Sequence, residues 1–183
     1  METSSPIAAA VVASSVALAG VMDVRTFRVP NRLTFPLFVG GVLFHTVAGG
    51  LGGLQASLLG GFVGFGILFG LYVLGIMGAG DVKLLAGIGA WLGPMATTHV
   101  FVIAAMATAA YSLVVLMLRG NLMHAFIAIR MTMLQLGAMT KHLGAEERVE
   151  VTARREDRRQ RLVPFAAMMA LAVIGLMIWE WYP

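Results

Sequence analysis

The chain has 183 residues, 59% of them hydrophobic and only 12% charged, against about 25% charged in an ordinary soluble domain. That much apolar surface exceeds what a core of this size can hide, so the bilayer is the expected solvent. With no cysteine, structural disulfides, thiolate zinc sites and cysteine nucleophiles are excluded together. The net charge of +4 comes from basic clusters that membrane orientation explains better than nucleic-acid binding does.

Six apolar segments follow one another: Pro6–Met22, Leu33–Leu51, Leu54–Met77, Val82–Leu92, Met95–Leu118 and Leu162–Tyr182. Most approach the ~20 residues that a spanning helix needs. The expected fold is an all-α polytopic membrane protein, a single domain over 1–183 with six transmembrane helices. Ala17-Leu18-Ala19 in the first segment has the look of a signal-peptide cleavage site, but the preceding "METSSP" carries no positive charge, so the segment reads as a span. Arg25, Arg28 and Arg32 follow it. Pro36 is expected to bend the second helix. An uncharged turn at Gly52-Gly53 leads into the third, and Gly93-Pro94 cuts the fourth short.

The segment from Arg119 to Arg161 holds nine of the chain's 13 Lys and Arg. Within it Leu122, Phe126, Ile129, Met133 and Leu136 repeat at helical spacing, predicting an amphipathic helix in the loop between the fifth and sixth spans. A seventh span there would put Arg130 in the membrane at a cost of about 2.5–3.5 kcal/mol, so the helix is expected to lie on the inner surface. The mixed-charge "AEERVEVTARREDRRQR" after it reads as a solvated helix or loop. Positive-inside reasoning places the Arg25–Arg32 loop, "GAGD" and the 119–161 loop in the cytoplasm, with both termini outside. Trp91, Trp179 and Trp181 then fit an outer aromatic belt. Gly60-x-x-x-Gly64, Gly66-x-x-x-Gly70 and Gly89-x-x-x-Gly93 read as helix-packing motifs. His45, His99, His124 and His142 form no ligand cluster, and no metal or cofactor is expected.

Aspartate is scarce. Asp157 falls in the charge-rich loop, whereas Asp23 closes the first helix and Asp81 opens the fourth. The topology, drawn without reference to them, places both at the cytoplasmic side. Asp81 at a helix N-terminus is explained by capping alone, worth about 0.5–2 kcal/mol. Asp23 has an ion pair with Arg25 or Arg28 as its plain explanation, but at a helix C-terminus the dipole disfavours it. Two carboxylates sharing a site hold one proton between them. The ionised one can take a proton from water while the protonated one polarises a carbonyl, which is aspartic-protease chemistry. Gly78, Ala79 and Gly80 would let backbone approach a substrate strand.

"GAGD" with Val82-Lys83 resembles the GxGD signature of the type IV prepilin peptidases. "DVRTFRVPNRLTFP", from Asp23 to Pro36, resembles their second conserved stretch, an aspartate followed by basic residues and Pro30-Asn31. "RLVPFAAMMA" resembles the start of their last helix, usually Pro-Phe-Gly-Pro; here Ala166 and Ala167 replace the glycine and the second proline, a change of local shape expected to touch neither aspartate. The resemblance implies a GxGD-type intramembrane aspartyl peptidase of the bacterial inner membrane with Asp23 and Asp81 as the catalytic pair. Gly78, Ala79, Gly80, Lys83, Pro30 and Asn31 are candidates for substrate or backbone positioning. It implies as substrate the precursor of a pilin or pilin-like protein, cut at the cytoplasmic edge of its apolar helix to remove a short basic leader. Larger family members also methylate the new N-terminus through a cysteine-bearing cytoplasmic insertion. Only residues 23–31 separate the first two helices here, and cysteine is absent, so the chain is expected to be the compact, tight-adherence (Flp-type) form.

Two other functions fit less well: a small transporter using carboxylates as a proton relay, for which acids at mid-membrane would be expected, and a catalytically silent assembly factor of the same fold. Depth sharpens the first reading. From Asp81 to Leu92 a helix rises about 18 Å, against a hydrocarbon core of about 30 Å. If Gly93-Pro94 turns near the outer interface, Asp81 is recessed from the inner one. Irregular backbone at residues 78–80 is then expected to line a water-filled cleft.

Overall fold

The computed structural model describes residues 6–26, 29–73, 77–119 and 164–181. All of the regular structure among them is helical: α1 (Pro6–Thr26), α2 (Asn31–Val73), α3 (Ala79–Arg119) and α4 (Phe165–Trp181). The first three are long and apolar enough to cross a membrane, and Phe165–Ile178 of α4 is a shorter apolar stretch. The chain is therefore an all-helical membrane protein. Contacts divide it into two units, one of Met1–Thr108 with Pro164–Pro183 and one of Ala109–Val163. In the second, the described end of α3 exposes Tyr111, Leu113, Val114, Met117 and Leu118. The amphipathic helix expected over 122–136, the charge-rich stretch after it, Arg28, His124, His142 and Asp157 lie outside the described residues, as do the side chains of Trp179 and Trp181.

Unbroken, the 43 residues of α2 would extend about 65 Å, twice the hydrocarbon thickness. The helix is interrupted at Gly50, with φ 58° and ψ −140°, a conformation that only glycine holds without strain. A β-carbon on Gly61 would meet the Phe38 ring at 2.6 Å, and one on Gly53 would collide with the His45 carbonyl. The two halves therefore run antiparallel, as a hairpin that reverses at Gly50 rather than at the expected Gly52-Gly53. The interior break recorded in α2 is this one and not Pro36, which sits within the helix. In α3 the interruption falls at Gly93 (φ 78°, ψ 174°), where the sequence pointed. Pro94 restarts the helix there, because its missing N–H would have no partner in a first turn.

The first part of α3 packs against both halves of α2 through glycine. A β-carbon on Gly60 would strike the Gly89 carbonyl, one on Gly64 would strike the Leu85 carbonyl, and one on Gly41 would come within 2.9 Å of Ala90 backbone. Between helices in lipid such backbone approach replaces the missing hydrophobic drive with van der Waals contact and hydrogen bonds. Ser57 Oγ donates to the Ala90 carbonyl at 2.7 Å. Gly60, Gly64 and Gly89 thus pack as expected. Gly66 and Gly70 do not: nothing lies within 4 Å of a β-carbon at either. Trp91 also departs from expectation. It is buried rather than part of a surface belt, fills the space left by Gly40 and Gly41, stacks on Phe44 with centroids 5.3 Å apart, and donates its indole N–H to the Leu37 carbonyl at 2.7 Å. An interior carbonyl acceptor outcompetes the interface for that N–H. His45 Nε2 lies 2.9 Å from the Trp91 carbonyl oxygen.

Candidate active site

Asp81 is placed by the N-terminus of α3. The Gly78 carbonyl accepts from the backbone N–H of Asp81 at 3.1 Å and of Val82 at 3.4 Å, so Gly78 caps the helix and Asp81 lies in its first turn. The positive end of the helix dipole favours a carboxylate there. Ala79 and Gly80 are already helical. Among the described residues at this junction only Met77 and Gly78 are irregular, not all of 78–80 as expected, because a small-residue pair enters a helix freely once the cap precedes it.

Gly80 has a second use. A β-carbon on it would lie 3.1 Å from both the Val29 β-carbon and the Val29 carbonyl oxygen. The connection between α1 and α2, which follows Asp23, therefore rests on the turn that carries Asp81. Pro30 caps α2, its carbonyl accepting from Leu33 N–H at 3.0 Å and Thr34 N–H at 3.4 Å. Asn31 begins that helix, and its Oδ1 accepts from Lys83 Nζ at 3.0 Å in an exposed position. Pro30, Asn31, Gly80 and Lys83 thus meet at one junction, while Ala79 is exposed.

Asp23 lies three residues before the end of α1 and is buried. Its Oδ2 accepts the backbone N–H of Ala166 at 3.0 Å. The start of the last helix, where Ala166 and Ala167 depart from the family's usual residues, thus meets Asp23 through its backbone. The first turn of α4 offers N–H groups that have no acceptor in their own helix, and one of them meets the carboxylate. This contact was not legible from residue types, since the donor is backbone.

Among the described residues, Asp23 and Asp81 are the only buried ionisable side chains, each 7% exposed. Burying a carboxylate is costly unless it is hydrogen-bonded or neutral, and an ionisable group inside a membrane helix marks a functional site by default. No group of three or more His, Asp or Glu that could hold a metal is gathered among the described residues. A shallow apolar groove of about 370 Å³ runs beside α1 and α4, lined by Gly20, Val21, Val24, Arg25, Ala167 and Leu171 among others; neither aspartate lines it.

Residues 10–113, which carry both aspartates, match the model of the type IV leader peptidase family. The chain belongs to that family. Similar leader peptidases include the prepilin leader peptidase/N-methyltransferase of Aeromonas salmonicida strain A449, 35% identical over 107 residues, covering 55% of this chain and 36% of the relative. The protein of the same description from Escherichia coli strain K12 is 34% identical over 102 residues, covering 51% and 44%. The leader peptidase HopD of Salmonella typhimurium is 38% identical over 80 residues, covering 40% and 52%. The matched stretch is thus between about a third and a half of those relatives' lengths. No solved structure matches the chain.

Proposed function

We propose that the protein is an aspartic leader peptidase that removes the short basic leader of a pilin or pilin-like precursor at the cytoplasmic face of the inner membrane, with Asp23 and Asp81 as its catalytic pair. The observation that carries this reading is that these two carboxylates alone, among the described ionisable groups, are buried. They sit where α1 ends and where α3 begins, and the Val29–Gly80 contact ties these segments together.

The chemistry needs no group beyond the chain and water. The ionised carboxylate takes a proton from a water molecule as the water oxygen attacks the scissile carbonyl. The protonated carboxylate donates a hydrogen bond to the carbonyl oxygen, which becomes a hydroxyl in the tetrahedral intermediate. Collapse re-forms the carbonyl, breaks the C–N bond and returns a proton to the leaving amine. Shared use of one proton by two acids is what lets the pair act as base and acid in one step. We assign Gly78 and Ala79 to the approach of an extended substrate strand, while Gly80, Pro30, Asn31 and Lys83 hold the junction. Only a few residues separate α1 from α2, Thr26 to Asn31, and the chain has no cysteine. We therefore assign peptide cleavage without the methyl transfer that appears in some relatives' names. Our reading takes the breaks at Gly50 and Gly93 as reversals, which would give six spans; positive-inside reasoning then assigns both termini to the outside and the basic 119–161 segment to the cytoplasm.

The test is cleavage of candidate pilin precursors by the purified protein. Asp23→Asn and Asp81→Asn should each reduce cleavage by at least about 1,000-fold while retaining helix content. Near-normal processing by either variant would sink the two-aspartate assignment.

A further inference from the structure

We infer that the first turn of α4 is part of the catalytic apparatus, the backbone N–H of Ala166 acting as a positioning group for Asp23; the inference rests on the reading of Asp23 as one of the catalytic pair. Near the C-terminus of α1 the last carbonyls have no intrahelical donor and the dipole is negative. A buried carboxylate there is disfavoured by its own helix and needs a partner from elsewhere. α4 brings one. Its Pro164 carbonyl accepts the Met168 N–H at 3.3 Å, which sets Pro164 as the cap and leaves the Ala166 N–H, in the first turn, without an acceptor in α4. That N–H points to Asp23 Oδ2 at 3.0 Å. The unfavourable end of one dipole is thus offset by the favourable end of another.

The register that achieves this is set by close packing. Ala166 is fully buried and Phe165 nearly so. A β-carbon on Gly20, one turn before Asp23, would lie 3.2 Å from Ala167 Cα and 3.4 Å from the Ala170 β-carbon. Gly20 thus lets the two helices approach closely one turn before Asp23, beside the turn that presents the N–H. The donor lies beyond residues 10–113, where the family match ends, while Asp23 lies within them. The donor is a backbone group, so exchange of alanine for glycine at 166 leaves it intact.

The experiment removes the N–H alone. Ala166→Pro deletes it at a first-turn position, where proline is tolerated. Replacement of Ala166 by its α-hydroxy analogue, lactic acid, deletes it without a ring. Ala166→Gly keeps it. Cleavage of a precursor peptide in detergent micelles, with the folded fraction measured by circular dichroism and size-exclusion, gives kcat and KM for each. Loss of one charge-assisted bond at a positioned group is expected to lower kcat about 10- to 100-fold with KM within about twofold. The pH profile of kcat should be displaced in the proline and lactate forms and not in the glycine form, which keeps the donor. Reduced folding alone would not move the pH profile. If the proline form loses helix content, the lactate form decides. Wild-type kcat and pH profile in a folded protein lacking this N–H would overturn the inference, even with Asp23→Asn inactive. Activity of Asp23→Asn would instead remove the catalytic reading on which it stands.

Discussion

Gly60→Ala puts a methyl group where the Gly89 carbonyl now sits, and 2.9 Å from Gly93 Cα. Both obstacles are backbone, so neither can rotate away as a side chain would. The second half of α2 must separate from α3, and the Ser57–Ala90 hydrogen bond, 2.7 Å long, is stretched with it. Overpacking of this kind costs about 1–3 kcal/mol, and the hydrogen bond adds about 1 kcal/mol. The better helix propensity of alanine returns up to about 1 kcal/mol, leaving a net loss of about 1–4 kcal/mol. Gly66→Ala is the internal control. It lies in the same helix, but nothing is within 4 Å of its β-carbon, so its stability should be unchanged or slightly raised. Unfolding in mixed micelles, titrated with sodium dodecyl sulfate and followed by circular dichroism, compares the two. Because α3 also carries Asp81, a displacement near 1 Å should lower precursor cleavage about 100-fold in Gly60→Ala and not in Gly66→Ala. Equal stability of the two variants would refute the glycine contact between α2 and α3.

Trp91→Phe keeps the stacking on Phe44 but leaves the Leu37 carbonyl without its indole donor, and should destabilise the protein by about 1 kcal/mol in the same titration. Lys83→Met breaks the link to Asn31 at an exposed site. Stability should change by less than about 1 kcal/mol, while cleavage falls about tenfold as the two helix starts loosen; unchanged cleavage would reduce Lys83 to a surface residue. Reporter fusions after Gly120 and at Pro183 should give a cytoplasmic and an external signal, respectively, and a cytoplasmic signal at Pro183 would refute six spans.

Composition and hydropathy were enough to establish a helical membrane protein, because continuous apolar runs near 20 residues long fit the bilayer as helices and not as the alternating strands of a barrel. The break at Gly93-Pro94 was legible for a local reason: proline and glycine act on their own φ and ψ. So was the pairing of interest, since Asp23 and Asp81 are rare acids in a greasy chain. What stayed hidden is which face of each helix meets protein and which meets lipid, because these helices are apolar all round and the pattern of side chains distinguishes no side. Gly60 and Gly66 read identically as packing motifs, yet only Gly60 touches a neighbour. Trp91 read as an interfacial ring and is instead buried against α2. The partner of Asp23 was hidden more deeply still: its donor is the Ala166 N–H, a group that nearly every residue type carries, 143 positions away. Only the packing of α4 against α1, set by backbone contact at Gly20, turned that common group into a specific one.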